Sequence, residues 1–283
     1  MSTFVKEITN AVDETEPVSA PFPNLRLNFD WSGETLVNKF PGAKSYKNIY
    51  KDNELGRQFI SLESIKNSDY DLYEFWTNQL NNEETRILVE KLFDKLNAGY
   101  LNDYSKVRRY IYILLKKAIS ERLVDYISRR QSHAWAHITL KILSFLGYFN
   151  DGSYLTRKRV SKDSLIFDWT FVSDSKCSDH LKVHTDTAEK VLTLLIPLNV
   201  NEEKRRGTSL FSSKYNSVHW NSGRYEVELF NECFESKHLF GHAIAFGKTE
   251  KTWHGVQKGS NTLPRLTLIL NCFKQKENLL ENK

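Results

Sequence analysis

From about residue 152 the chain divides into short strand-like segments. They are SLIFDWTFVSD (164–174), KVLTLLIPLN (190–199), GTSLFSS (207–213), YEVELF (225–230), HAIAFG (242–247) and RLTLILNCF (265–273). Each is rich in β-branched or aromatic residues, which suit a pleated, half-buried surface. Gly, Asn, Ser and Asp separate them and supply the turns. Six such segments at near-regular spacing predict a β-sandwich or barrel.

The region before them has a different texture. Residues 72–147 contain no proline, and NNEETRILVEKLFDKL places Ile87, Leu88, Leu92 and Phe93 at helical spacing. DYSKVRRYIYILLKKAISERLVDYISRR and HAWAHITLKILSFLGYF read as further amphipathic helices. The basic residues of the former, Arg108, Arg109, Lys116, Lys117, Arg129 and Arg130, read as a solvated face. Residues 1–25 are polar and broken by Pro17, Pro21 and Pro23, so a flexible arm is expected there. The predicted organisation is one continuous domain in three parts. The arm spans 1–25, a mixed and then helical region spans 26–150, and the β core spans 151–283. The fold class is α+β, mainly β, with an N-terminal helical layer on the outside of the core.

Bulk properties narrow the function. Forty basic residues against 35 acidic ones give a net charge of +5, which suits an anionic small-molecule substrate and is too weak for nucleic acid. The three cysteines, Cys177, Cys233 and Cys272, are widely spaced and form no CxxC pair, which excludes a disulfide framework or a cysteine-zinc site. Apolar runs such as Ile111–Leu115 fall far short of the roughly 20 residues needed to cross a bilayer. The N-terminus shows no signal-peptide pattern, so a cytoplasmic location is the expectation.

The stretch LKVHTDTAEK (181–190) carries the chemistry. On a strand, positions i and i+2 share a face, so His184 and Asp186 project together. An imidazole beside a carboxylate is two thirds of the facial triad that holds non-haem iron. Among eight histidines an HxD match is cheap, so a third ligand is required. The candidates downstream are His219, His238, His242 and His254. His254 stands in TWHGV, after the apolar segment HAIAFG and eleven residues before Arg265. An arginine facing into an apolar barrel is costly unless it meets an anion. A guanidinium fork matches a carboxylate, and Thr267, two residues on, adds a hydroxyl on the same side.

Residues 181–273 resemble the double-stranded β-helix (jelly-roll, cupin-like) core of the Fe(II)/2-oxoglutarate-dependent oxygenases. The order HxD, distal His, then Arg on the next strand is that superfamily's order. HTDTAEKVLTLLIPLN, GTSLF and GHAIAFGKTEKTWHGVQ are similar to its prolyl-hydroxylase-like branch. Gly207-Thr208 departs from the double glycine common there, and Arg265 is closer to phytanoyl-CoA-hydroxylase-like members. The resemblance covers about the last 120 residues. It implies that His184, Asp186 and His254 bind Fe(II). Arg265, with Thr267, would hold the distal carboxylate of 2-oxoglutarate. Oxygen is the oxidant, and ascorbate an accessory reductant. The implied reaction is hydroxylation of a substrate with release of succinate and CO2. The retained carboxylate of Asp186 favours hydroxylation over halogenation, in which that position is small.

Competing readings attach to other residues. His133/His137 and His180/His184 have helical metal spacing, but the first pair lacks a glutamate between its members and the second lies in loop and strand. His238 and His242 suit solvent or structural roles, Trp253 suits packing, and Cys177 and Cys233 lack activating partners. A cupin-type metal enzyme would use HxH with a glutamate and leaves Arg265 without a task. An inactive jelly-roll binding module usually loses a ligand or the arginine. The substrate, small molecule or protein side chain, stays open, with the small molecule preferred. The oligomeric state is not encoded in any motif.

Overall fold

The computed structural model describes residues 3–30, 36, 38–41, 50–52, 57–98, 100–103, 156–174, 181–186, 190–200, 207–214, 225, 227–249, 251–256 and 265–275. The two further segments expected to be helical, 103–130 and 133–149, lie outside the described residues except for Asp103, which ends a strand.

The expectation for residues 1–25 is corrected. Phe4–Glu14 is a helix (α1), capped by Thr3, whose hydroxyl accepts from the Lys6 N–H at 3.3 Å. Phe4, Val5, Ile8 and Val12 form its apolar stripe, and all four are fully buried. The prolines act only after the helix ends. The next segment, Asn24–Asn28 (β1), is already a strand of the main sheet. A polar composition concealed a narrow stripe that follows the 3.6-residue period.

The helix expected around residues 82–95 is present as Asn82–Lys95 and follows two others. These are Leu62–Lys66 (α2), Tyr70–Gln79 (α3) and Asn82–Lys95 (α4). Asn81 caps α4 by accepting from the N–H groups of Glu83 and Glu84. Leu88, Leu92 and Phe93 face inward as the periodicity requires, joined by Thr85 and Val89, while Ile87 points outward.

The remaining strands are Tyr50–Asp52 (β2), Arg57–Ser61 (β3), Tyr100–Asp103 (β4), Thr156–Arg159 (β5), Leu165–Asp174 (β6), Leu181–His184 (β7), Lys190–Pro197 (β8), Ser209–Ser213 (β9), Phe230–Glu235 (β10), His242–Gly247 (β11), Trp253–Val256 (β12) and Arg265–Lys274 (β13). All paired strands are antiparallel. A seven-stranded sheet runs β1-β11-β8-β13-β6-β3-β2, and a four-stranded sheet runs β10-β9-β12-β7. The four strands of the smaller sheet interleave in sequence with those of the larger one, giving the jelly-roll arrangement. The N-terminal segment also supplies β1, β2 and β3 to the large sheet, beyond its helices.

Alternation along the strands gives the large sheet two different faces. On β13, Leu266, Leu268, Leu270 and Cys272 join the outer cluster with Leu192, Leu194 and Ile196 of β8 and the stripes of α1 and α4. Trp169 of β6 ties this face to α4 by donating its indole N–H to the Thr85 hydroxyl at 3.1 Å. Arg265, Thr267, Ile269 and Asn271 of β13 face the other way, into a cavity between the sheets. The helical layer thus backs the sheet opposite the cavity.

Burial of this kind carries several kilocalories per large side chain. Ile8→Ala is expected to destabilise the protein by about 2–5 kcal/mol in chemical denaturation. A mobile arm would give no measurable change.

Candidate active site

Two strands of the small sheet bring the triad together. In the β7–β12 ladder, His254 is the register partner of His184. Their rings lie 4.4 Å apart between centroids. Asp186 follows the end of β7 and projects to the same side as His184, as the HxD spacing requires. One ligand atom from each of His184, Asp186 and His254 lies within 4.8 Å of the others. Trp253, the neighbour of His254, turns to the opposite face and packs with Val183, Phe211 and Phe230.

The ligand atoms are preorganised. His254 Nδ1 lies 3.0 Å from the Thr252 carbonyl oxygen, which can only accept, so Nδ1 carries the proton and Nε2 is left as an electron-pair donor. His254 Nε2 lies 3.7 Å from Asp186 Oδ1. The other carboxylate oxygen, Oδ2, accepts from the Thr193 hydroxyl at 2.8 Å and pairs with Lys190 Nζ at 3.3 Å. One oxygen is therefore secured while the other faces the histidines.

Electrostatics keep both groups in their ligating forms. Burial opposes the charge on Asp186, but Lys190, His254, His184 and Lys248 together outweigh it and hold the carboxyl well below its ordinary range. Burial pushes His254 below 6.5, more strongly than Asp186 and the Thr252 carbonyl raise it, and so favours neutral imidazole. Two imidazoles and one carboxylate on one side of a cavity fit a divalent iron ion with open positions.

The cavity, about 200 Å³, is lined by the triad, by Lys190 and Thr193, and by the inner residues of β13. Its far end carries a charged row across three adjacent strands. Arg57 of β3, Asp174 of β6 and Arg265 of β13 are successive register partners. Asp174 pairs with Arg57 Nε at 2.5 Å and with Arg265 Nη1 at 3.2 Å. Two guanidinium groups share one carboxylate. Arg265 is 7% exposed, and Thr267, also 7% exposed, lies beside it on the cavity face.

His238 supports Arg265 from behind. Asn199 Oδ1 accepts from the Leu266 N–H at 2.9 Å and from His238 Nε2 at 2.8 Å. The imidazole proton is therefore on Nε2, and Nδ1 accepts from Arg265 Nη2 at 3.3 Å. His238 is thus structural, whereas His242 is bonded to the Asn28 side chain at 2.6 Å and lies apart from the triad. Gly207, at the departure from the double-glycine pattern, packs directly on Ser236. A Cβ there would stand 1.6 Å from the Ser236 carbonyl oxygen. Thr208, the next residue, lines the cavity.

The structure brings the expected residues His184, Asp186, His254, Arg265 and Thr267 together around one cavity, with Arg57, Asp174, Lys190 and Thr193, which the sequence did not single out, on or beside its wall. Thr193 had a signal, a lone hydroxyl inside the apolar run KVLTLLIP. Arg57 had none, because its place depends on a distant strand pairing.

No family model matches the chain, and no curated protein matches it. Among solved structures it is similar to the epimerase SnoN in complex with Fe3+, alpha-ketoglutarate and nogalamycin RO, at 10% identity over 95% of this chain and 83% of that one, with a TM-score of 0.39. It is also similar to a Pseudomonas putida prolyl-4-hydroxylase at 12% identity over 65% of this chain and 97% of that one, TM-score 0.29. A third is a prolyl hydroxylase from Trichoplax adhaerens in complex with a hypoxia-inducible-factor peptide, at 13% identity over 71% and 96%, TM-score 0.31. These similarities are low. No helix among the described residues is long and apolar enough to cross a membrane.

Both buried ligands predict the same response to acid in the metal-free protein. His254, lowered in the folded state, gives the unfolded chain the greater proton uptake as pH falls below about 6.5. Asp186, also lowered, adds the same effect below about 4. Denaturation midpoints should therefore fall on acidification from pH 7.5 to 5.5. The fall should be smaller in His254→Gln, and an identical fall in that variant would contradict the assignment.

Proposed function

We propose that the protein is an Fe(II)- and 2-oxoglutarate-dependent dioxygenase that hydroxylates a small molecule. The observation that carries this reading is one cavity lined by a His-Asp-His cluster and, on other strands, by Arg57, Arg265 and Thr267. His184, Asp186 and His254 would hold the iron, through His254 Nε2 and Asp186 Oδ1 in two of the three cases. Arg265, with Thr267, would take the distal carboxylate of 2-oxoglutarate. When bound, the iron and 2-oxoglutarate supply oxidative chemistry in which one oxygen atom enters succinate and the other enters the substrate, with loss of CO2.

The chain's own groups bind, orient and neutralise. Thr193 and Lys190 fix Asp186 so that one oxygen faces the metal position. The Thr252 carbonyl fixes the His254 tautomer. Arg57 and His238 brace Asp174 and Arg265, so the fork meets a carboxylate without reorganising. The inner residues Leu195, Val256 and Ile269 give the cavity an apolar stretch of wall. A cupin-type metal enzyme would leave the Arg57–Asp174–Arg265 row without a ligand to receive. An inactive binding module would have no use for the locked tautomer.

The test is anaerobic addition of Fe(II) and 2-oxoglutarate to the metal-free protein. A visible metal-to-ligand charge-transfer band should appear in the native chain and be absent in His254→Ala. Arg265→Ala should retain iron but require at least tenfold more 2-oxoglutarate, the scale of a lost charge-assisted hydrogen bond. Iron binding with no band at any 2-oxoglutarate concentration would refute the co-substrate assignment. No iron binding would refute the metal assignment as well.

A further inference from the structure

The inner face of the large sheet carries a second polar row besides the one at Arg265. Thr193 of β8, Asn271 of β13 and Asp168 of β6 are successive register partners. Thr193 bonds Asp186, so the row begins at the His-Asp-His cluster. It ends at Asp168, two strands across, roughly 10 Å away at about 4.8 Å per strand. Asn271 and Thr170 line the cavity, and Asp168 shares the face of Thr170 because it precedes it by two. Asn271 stands well along β13 from Arg265, at roughly 20 Å of strand. A carboxylate held at Arg265 therefore leaves Asp168 clear.

Asp168 is held in place but not neutralised. Its Oδ2 accepts from the Thr170 hydroxyl at 2.8 Å and from Asn271 Nδ2 at 3.4 Å. Both donors are neutral, and both fall on one oxygen. Among the described residues no cation pairs with Asp168, and no donor reaches its Oδ1. Asp174 and Asp186 differ, the first lying between two arginines and the second beside Lys190. The two neutral donors fix the direction of the Asp168 carboxylate, and the residue is exposed at the edge of the cavity. Apolar surface adjoins it. Ile166, two residues earlier on the same face of β6, is 48% exposed, and Ile269 and Val256 line the cavity. An oriented carboxylate beside apolar surface suits an ammonium group on an apolar body, because a charged donor gains more from an ionised acceptor than a neutral one does. The chain's net charge of +5 favoured an anion, but the charge at contact here is that of Asp168, and exposed charges beyond about 10 Å are screened.

We propose that Asp168 is the substrate-anchoring residue, and that the substrate is a small primary amine whose ammonium group binds Asp168 while its apolar body reaches across Asn271 towards the metal ligands. This names the substrate class of the function proposed above and rests on that function.

The test uses protein loaded anaerobically with Fe(II) and saturating 2-oxoglutarate, and three matched probes: 2-phenylethylamine, 2-phenylethanol and 3-phenylpropanoate. Binding is read at neutral pH by titration calorimetry and by perturbation of the charge-transfer band, without turnover. The amine should bind about fivefold more tightly than the alcohol, the upper range for an exposed ion pair, and the propanoate more weakly than either. Asp168→Asn should still form the band, because Asp168 bonds none of His184, Asp186, His254 and Arg265, but should lose the preference. Asp71→Asn, which removes the same charge from an exposed position on α3, should keep it. No binding of the amine, equal binding of amine and alcohol, tighter binding of the propanoate, an undiminished preference in Asp168→Asn, or its loss in Asp71→Asn would overturn the inference while leaving the band, and so the oxygenase reading, intact. Absence of the band in the native chain would overturn both.

Discussion

Strand alternation is the constraint on which the rest of the molecule depends. Each residue of β13 is committed to the helix-backed side of the large sheet or to the cavity, and the commitment changes at every step. Leu268 and Leu270 need α1 and α4 to cover them. Once they are covered, Arg265 and Thr267 have nowhere to point but inward. A slip of one residue would put the guanidinium into the helical layer and leucine into the cavity. The helices therefore serve the site without touching it: they make one register of β13 far more stable than any other.

Within the cavity, charge is arranged so that each ionised group has an opposite. Asp174 lies between two arginines, and Asp186 lies beside Lys190. Burying so many charges is tolerable only because the geometry is close and the remaining lone pairs are taken up by hydroxyls and by backbone groups such as the Thr252 carbonyl.

Much of this was legible in the chain. His184 and Asp186 share a face because they are two apart, and Arg265 and Thr267 do so for the same reason. The strands were readable because each short run is bounded by turn residues. The N-terminal helix was not. Its stripe of Phe4, Val5, Ile8 and Val12 is diluted by acidic and hydroxyl residues, and the following prolines suggested a looser segment than α1 forms. The charged row was hidden for a different reason. Arg57 and Asp174 lie more than a hundred residues apart in sequence, and only the β3–β6 pairing makes them neighbours. Lys190 stood in plain view after the HxD stretch, yet its bearing on Asp186 depends on how the chain returns into β8.

Asn199 shows how far the design of the cavity extends beyond the residues that line it. Its amide oxygen receives both the His238 ring and the Leu266 backbone, and its own carbonyl accepts from the Phe240 N–H at 2.7 Å. The orientation of a single hydrogen, on the imidazole behind Arg265, is thereby dictated by an amide at the end of β8. Deamidation, which exchanges one nitrogen for oxygen, would place a negative charge there and draw a second proton onto the ring. The imidazolium would then turn an N–H towards the guanidinium that it now receives, and two like charges would face each other. Chemical ageing of one side chain outside the cavity would convert a brace into a source of repulsion beside Arg265.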